Sequence, residues 1–153
     1  MLINQALHTL DLLQWFVGMP DSICASISNL TLQDEIEVED TATVVAKGTP
    51  GFVLHATVGA PADVPVEVTI RTDKTTYRIY PNAVLAGDTL IEFPFSLLPG
   101  AKECYGKSHE ALIADFYDCA QTGRKFVIDG AEASRVVRLI LAAYRSEGKP
   151  VSL

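Results

Sequence analysis

Residues 1–18 read MLINQALHTLDLLQWFVG, and this stretch is the most informative part of the sequence. In a helix, at about 100° per residue, Asn4, His8 and Asp11 fall in one narrow stripe. Most other positions are apolar, so we expect a helix over about residues 3–17 that is buried on nearly all sides. A buried amide, imidazole and carboxylate need hydrogen-bond partners. The stripe therefore either bonds to itself and the neighbouring backbone or lines a pocket, and we favour the pocket.

Strand patterns follow this helix. In VPVEVTIR, residues 64–71, valine and isoleucine alternate with mostly polar residues, which is typical of a strand with one face in the core. Further strands are predicted at residues 21–30, 40–46, 51–59, 76–80 and 82–85, followed by an irregular loop over 86–106. Two helices close the chain, over residues 107–121 and about 131–147, the second capped by Asp129. Each carries an apolar stripe at helical spacing that we expect to be buried.

The order of these elements, a helix, then strands, then helices, predicts a single α+β domain over residues 1–153. We expect a mostly antiparallel, open sheet with the helices packed on one face. The other face would be polar and open, and the family resemblance given below implies that it is available for dimerisation. By alternation, the candidates on that face are Thr69, Arg71, Arg78 and Tyr80.

The composition excludes several classes of protein. A formal net charge of −7 argues against binding to nucleic acid or to an anionic membrane surface, because both require basic patches. No apolar run approaches the roughly 20 residues of a membrane span, and the N-terminus lacks the pattern of a signal peptide. The three cysteines have no metal-ligand spacing. We therefore expect a cytoplasmic protein with reduced thiols and no metal site.

Three segments together resemble a known family. They are INQALHTLDLLQWFVG at residues 3–18, IEVEDTATVVAKGTPGFVLHATV at 36–58, and YGKSHEALIADFYDCAQTGRKFVIDGAEASRVVRLILAAYRSEGKPVSL at 105–153. In this order and at these separations, they resemble the C-terminal domain of the Gfo/Idh/MocA oxidoreductases, the glucose–fructose oxidoreductase and inositol dehydrogenase family.

The resemblance implies a partner domain that this chain does not contain. Family members begin with a dinucleotide-binding domain, and the nicotinamide and a sugar-like substrate lie between the two domains. This sequence has neither a GxGxxG loop after a strand nor the family's glutamate-lysine-proline motif. Its helical pattern also starts at Met1 without a cap residue. We therefore expect the substrate-side domain of a larger enzyme that uses NAD or NADP, and we expect the chain alone to be inactive and to bind no cofactor tightly.

The resemblance assigns two candidate site residues, His8 and Asn4, and the sequence pattern itself suggests three more. His8 matches the active-site histidine, which would take the proton of a substrate hydroxyl as hydride leaves. Asn4 stands where many members have aspartate, so it can orient a hydroxyl but cannot accept its proton. Asp11 would either orient His8 or bind a substrate hydroxyl. Tyr105 and His109, at the end of the long loop, are further substrate-binding candidates.

Simpler interpretations remain open for each of these residues. His8 could be a buried histidine satisfied by Asp11 or by a carbonyl group, and Tyr105 and His109 could belong to helix-start packing and the solvated surface. We expect Trp15 in the core and the carboxylates of Glu35, Glu37, Glu39 and Asp40 on a solvated edge. The alternative function is a non-catalytic domain that binds a sugar-like ligand or serves in assembly.

Overall fold

The structure is a computed structural model that describes residues 1–60, 62, 64–93 and 108–153. Within these residues, three helices and eight strands form an α+β fold, as the sequence predicts. The helices are α1 (Leu7–Val17), α2 (Ser108–Thr122) and α3 (Gly130–Ser146). The strands are β1 (Ser22–Ser28), β2 (Thr41–Lys47), β3 (Phe52–Thr57), β4 (Val68–Arg71), β5 (Thr76–Ile79), β6 (Ala83–Ala86), β7 (Thr89–Glu92) and β8 (Val151–Ser152).

The strands form two antiparallel sheets rather than the one open sheet expected from the sequence. The first sheet has the order β3-β2-β1-β8 and the second β4-β5-β6-β7. They belong to two compact units, residues 1–63 with 128–153 and residues 64–127. The strand predicted at residues 64–71 begins only at Val68. Pro65 has no N–H to donate to a ladder, which is consistent with this late start.

Two of the strands, β7 and β8, are not among those predicted from the sequence. Strand β7 lies inside the segment predicted to be an irregular loop, and it forms a hairpin with β6 in which Ala86 pairs with Thr89. Gly87 adopts a φ of 59° in the two-residue turn, a conformation that glycine adopts without steric cost. The Gly-Asp pair at this turn is a recognised hairpin signal. Strand β8 is only two residues long and pairs with Ser22 and Ile23 of β1.

The first unit has a core between one face of its sheet and α3. Paired residues of the three long strands share this face, as Ala25, Val44 and Leu54 do. Helix α3 packs against β1 and β8, and α1 packs against α3. The buried apolar residues of this unit are Leu2, Ala6, Leu10, Leu13, Ile23, Ala25, Ala42, Val44, Ala46, Leu54, Val136, Leu139, Ile140, Ala142 and Ala143.

The C-terminal end of α3 is hydrogen-bonded to β1. Since β8 begins only at Val151, opposite Ile23, it does not reach Ala25, whose backbone on this side bonds to other partners. The Ala25 N–H donates to the hydroxyl oxygen of Ser146 at 2.9 Å, and the Ala25 carbonyl accepts from the N–H of Gly148 at 3.0 Å. Both Ala25 and Ser146 are buried. The end of α3 thus continues the ladder that β8 begins.

The ends of the helices follow the sequence signals. Gly18 closes α1 with a φ of 82°, and its N–H donates to the Gln14 carbonyl at 2.8 Å. Asp129 caps α3 because its Oδ1 accepts from the N–H of Glu132 at 2.9 Å. The start of α1 differs from the prediction. Residues 1–6 form a turn that leads into a helix beginning at Leu7.

The apolar stripe of α3 is partly buried, whereas most of the apolar stripe of α2 is exposed, so the expectation that both stripes are buried is wrong for α2. In α3 the buried side is formed by residues such as Val136 and Ile140, whereas Val137 and Leu141 are about half exposed. In α2 Cys119 is buried, while Leu112, Ile113, Phe116 and Tyr117 are exposed. Among the helices of the described residues, none is long and apolar enough to cross a membrane.

Candidate functional site

A row of polar side chains on α1 is exposed to solvent. His8 and Asp11 lie three residues apart in the helix, and both are exposed. Trp15, one turn further on, is 66% exposed. The opposite side of the helix is buried through Leu10 and Leu13. The expectations that α1 is buried on nearly all sides and that Trp15 lies in the core are therefore wrong, because only one side of the helix is covered.

Asn4 precedes this row in the N-terminal turn. Its side chain is exposed, and its N–H donates to the carbonyl of Met1 at 3.3 Å. The same carbonyl accepts from Gln5 at 2.9 Å and from Ala6 at 3.2 Å. The turn therefore places Asn4 four residues before His8 in a continuous, hydrogen-bonded run.

The His8 imidazole is not the buried, satisfied histidine of the simpler interpretation. It is exposed, and no hydrogen bond to its ring occurs within the part of the chain that the structure describes. Asp11, its expected partner, instead accepts a hydrogen bond from Nε2 of Gln14 at 3.0 Å. His8 is thus accessible to a ligand, and its role stays a prediction.

Gln14 is a residue that sequence reasoning missed. It is only 1% exposed, so its amide cannot move far from the Asp11 carboxylate. Its Oε1 is buried without a hydrogen-bond partner in the described structure. The signal was present in the sequence, because side chains three residues apart on a helix are neighbours. Gln14 holds the Asp11 carboxylate on the exposed side of α1.

The described structure does not test whether Tyr105 and His109 belong to the same site as this row. Tyr105 lies outside the described residues, and His109 is exposed near the start of α2. His109 belongs to the unit of residues 64–127, whereas α1 belongs to the other unit. The assignment of this pair to the substrate site therefore stays a prediction.

Glu39 is not on a solvated edge as expected. Its side chain is only 10% exposed, and its Oε1 accepts hydrogen bonds from the nitrogen of Met1 at 3.0 Å, the N–H of Leu2 at 2.9 Å and the hydroxyl of Tyr144 at 2.7 Å. Burial by itself would raise the pKa of Glu39, but these donors outweigh it and lower the pKa from 4.5 to about 2. Burial and the bond to Glu39 raise the pKa of Tyr144 to about 12.

Asp40 is also buried, and it is fully enclosed. Its carboxylate accepts from the N–H groups of Leu30, Thr31 and Leu32 and from the hydroxyl of Thr31, at 2.6 to 3.0 Å. Burial works against ionisation, but these bonds hold the pKa of Asp40 well below its usual range. Asp40 therefore fixes the chain that leaves β1. Among the described residues, no three histidine, cysteine, aspartate or glutamate side chains are placed to hold a metal ion.

The candidate oligomerisation face lies on the second sheet. Thr69 pairs with Arg78 and therefore shares its face, and both are exposed. Glu67 joins them, because its carboxylate accepts from the hydroxyl of Tyr80 at 2.7 Å and from that of Thr69 at 2.8 Å. The exposed Arg71 lies on the same face, because it is two residues after Thr69 in β4. The register thus places the four predicted residues on one polar face.

The comparisons with known proteins agree with this architecture. Residues 1–78 match the profile of the GFO/IDH/MocA C-terminal domain. The chain belongs to this family. No curated protein sequence matches the chain, but many solved structures share the fold of this GFO/IDH/MocA domain.

Three of these solved structures are an oxidoreductase and two dehydrogenases with a bound nicotinamide cofactor. An oxidoreductase from Agrobacterium radiobacter, in complex with NAD⁺, L-tartaric acid and magnesium, is similar with a TM-score of 0.86 at 20% identity, over 99% of this chain and 48% of that chain. The WlbA dehydrogenase from Bordetella pertussis, with NADH and UDP-GlcNAcA, gives a TM-score of 0.79 at 25% identity, over 99% of this chain and 47% of that chain. A levoglucosan dehydrogenase with NADH and levoglucosan gives a TM-score of 0.79 at 14% identity, over 98% of this chain and 49% of that chain. The GFO/IDH/MocA domain described here thus spans about half the length of these structures.

Proposed function

We propose that this chain is the substrate-side domain of an NAD(P)-dependent dehydrogenase. The reaction is hydride transfer between the nicotinamide and a hydroxyl-bearing carbon of a sugar, a sugar derivative or a cyclitol. The observation that carries the proposal is the row of Asn4, His8 and Asp11, whose polar side chains are exposed while the other side of α1 is buried. The family and the sugar-like ligands of the WlbA and levoglucosan dehydrogenases support the substrate class.

His8 is the proposed acid–base group. A hydride leaves a carbinol carbon readily only if the hydroxyl proton is taken up, and a neutral imidazole accepts a proton near neutral pH. The exposed His8 ring has no competing hydrogen bond within the described residues, so a substrate hydroxyl can approach it. The bound nicotinamide supplies the hydride acceptor. A lysine from the domain that this chain lacks can share the proton transfer.

Asn4 and Asp11 are the proposed substrate-orienting groups. The Asn4 carboxamide can both donate to and accept from a hydroxyl but cannot take its proton. The Asp11 carboxylate can accept hydrogen bonds from further hydroxyls, and the buried Gln14 amide holds it in place at 3.0 Å. Tyr105 and His109 are proposed to complete the substrate pocket.

The cofactor is assigned to the domain that this chain lacks. The sequence contains no GxGxxG loop of the kind that cradles a pyrophosphate. We therefore propose that the chain alone neither binds NAD or NADP tightly nor turns over substrate. Titration calorimetry of NAD⁺ and NADP⁺ into the chain is expected to give no measurable heat of binding.

The second candidate function is a non-catalytic domain that binds a sugar-like ligand or serves in assembly. Asn4 favours it, because an amide in place of the family's common aspartate removes one proton acceptor from the row. In that case Asn4 and Asp11 would still bind hydroxyls, and His8 would act only as a hydrogen-bonding group.

The test uses the full-length protein that contains this domain. Reduction of NAD⁺ or NADP⁺ is followed by absorbance with a panel of sugars, uronic acids and cyclitols, for wild type and for His8→Ala. Loss of an acid–base group is expected to lower kcat by roughly 10²-fold or more. His55→Ala is the matched control, since His55 is also exposed but lies on β3, where its Nδ1 is 2.9 Å from the Thr43 hydroxyl.

Either contrary result identifies what is wrong. Unchanged kcat in His8→Ala would refute the role of His8 while leaving the dehydrogenase assignment standing. No turnover with any substrate, combined with binding of a sugar-like ligand, would favour the non-catalytic candidate.

A further inference from the structure

The helical run that carries the candidate site has no cap of its own. Ala6 precedes α1 and provides no side-chain hydrogen bond. Before Ala6, the turn is held by the Met1 carbonyl, which accepts from the N–H groups of Asn4, Gln5 and Ala6, and the N–H of Leu2 has no partner within the turn. The first N–H groups of a helix lack partners within it and carry partial positive charge. A negatively charged acceptor from elsewhere in the fold is therefore the natural complement.

Glu39 supplies that acceptor from a distant part of the chain. It lies 37 positions from Leu2 in sequence, two residues before β2. Its Oε1 accepts from the nitrogens of both Met1 and Leu2. The bond from Leu2 is a backbone bond and does not depend on the charge of a chain terminus. Leu2 itself is fully buried, so the anchored end of the run is also held by packing.

Tyr144 extends the same link to α3. Its hydroxyl donates to the Oε1 of Glu39 at 2.7 Å, and α3 packs against β1 and β8. One carboxylate oxygen therefore joins the start of the site run, the segment before β2 and the helix that covers the first sheet. Displacing Glu39 would therefore release the start of the run from the segment before β2 and from α3 at the same time.

We propose that Glu39 is a positioning residue that sets where Asn4 and His8 are presented to the substrate. The proposal rests on the proposed function and deepens it. The Met1 carbonyl, next to the anchored Leu2 nitrogen, accepts from the N–H groups of Asn4, Gln5 and Ala6, so a shift at Leu2 is passed on to Asn4 and into α1. At a rise of about 1.5 Å per residue, His8 lies only about 9 Å along the run from Leu2. Glu39 acts through this backbone and touches no reacting atom.

The first experiment uses this chain itself. Amide hydrogen exchange of Gln5 and Ala6 is measured by NMR in wild type, in Glu39→Gln and in Glu37→Gln. Glu37 is the matched control because it is exposed and lies in the same segment. Loss of the charged acceptor is expected to speed exchange of Gln5 and Ala6 by roughly 10-fold or more, while amides in β1 stay protected.

A milder variant keeps the proposal testable if Glu39→Gln does not fold. Tyr144→Phe removes one donor to Glu39 and leaves the bond from Leu2 in place, so it is expected to speed the same exchange by a smaller factor. Unchanged protection of Gln5 and Ala6 in both Glu39→Gln and Tyr144→Phe would overturn the proposal.

The second experiment measures kinetics in the full-length protein. A misplacement of about 1 Å costs up to roughly 10²-fold in rate, so Glu39→Gln is expected to lower kcat by roughly 10- to 10²-fold. The KM for the nicotinamide cofactor, which binds the other domain, should not change, whereas a general loss of fold would reduce the active fraction and leave kcat per active site intact.

The two proposals fail in different ways. If His8→Ala is inactive but Glu39→Gln retains wild-type kcat, the positioning role is overturned and the proposed function stands. If Glu39→Gln speeds the amide exchange of Gln5 and Ala6 but His8→Ala is fully active, the anchoring of the run by Glu39 is supported and the proposed role of His8 fails.

Discussion

Replacement of Ser146 by alanine tests whether the end of α3 holds the first sheet together. Ser146 and Ala25 are 2% and 3% exposed, so water cannot replace the hydrogen bond between them. The Ser146 hydroxyl accepts from the Ala25 N–H at 2.9 Å and lies 2.8 Å from the Ala143 carbonyl. Ser146→Ala leaves the Ala25 N–H without an acceptor, while the Ala25 carbonyl keeps its bond from Gly148.

The expected magnitude follows from these contacts. A buried donor left without a partner costs about 1–3 kcal/mol. The higher helix propensity of alanine returns up to about 0.5 kcal/mol. We therefore expect Ser146→Ala to lower the free energy of unfolding by about 0.5–2.5 kcal/mol. With an m value of about 1.5 kcal/mol/M, which is ordinary for urea, the unfolding midpoint falls by roughly 1 M.

The assay is urea unfolding followed by tryptophan fluorescence. Trp15 is the single tryptophan of the chain and lies on α1, in the same unit as Ser146. Ser134→Ala is the matched control, because Ser134 is exposed on the same helix and bonds only within it, to the Ala131 carbonyl. A midpoint for Ser146→Ala that equals that of Ser134→Ala would refute the argument that the buried Ala25 N–H depends on Ser146.

Three further predictions concern the core, the acid response and assembly. Leu139 is fully buried and Leu141 is 52% exposed, so Leu139→Ala should lower the free energy of unfolding by about 2–5 kcal/mol and Leu141→Ala by far less; equal losses in urea unfolding would contradict this. Because the pKa of Glu39 is about 2 in the folded state and 4.5 ordinarily, its stabilising contribution is present above pH 4.5 and is lost as the pH falls towards 2. Glu39→Gln should therefore show a shallower loss of stability than wild type over that interval, and parallel curves would argue against it. If the polar face of the second sheet joins two copies of the chain, Arg78→Glu should shift sedimentation towards monomer, whereas an unchanged distribution would exclude this face.

Local signals in the sequence predicted much of the secondary structure. Alternation of valine and isoleucine with polar residues located β4, and Gly18 and Asp129 marked the ends of α1 and the start of α3, because each acts through its own backbone or its near neighbours. The β6–β7 hairpin was also encoded locally, by the Gly-Asp turn at residues 87–88. The turn lies inside the segment 86–106, whose prolines and glycines otherwise favour an irregular loop.

Burial and long-range contacts could not be predicted in the same way. The sequence shows that apolar residues such as Trp15 and Val137 can be buried. Which side of each helix is covered depends on how α1 and α3 pack. Glu39 is the clearest case at the candidate site. Four acidic residues within six positions resemble a solvated edge, and nothing local shows that one of them meets Leu2 and another the backbone of Thr31.

The arrangement at the edge of β1 also bears on aggregation. A strand edge with free N–H and C=O groups can pair with another chain and begin an intermolecular sheet. Strand β8 covers this edge at Ser22 and Ile23, and Ser146 with Gly148 covers it at Ala25. The first half of the edge is therefore covered by the last residue of α3 and a few residues that follow it. Proteolysis or truncation after Glu147 would remove Gly148 and β8 and so uncover the edge at Ser22 and Ile23, and the resulting chain should associate through β1 even where its helices remain folded.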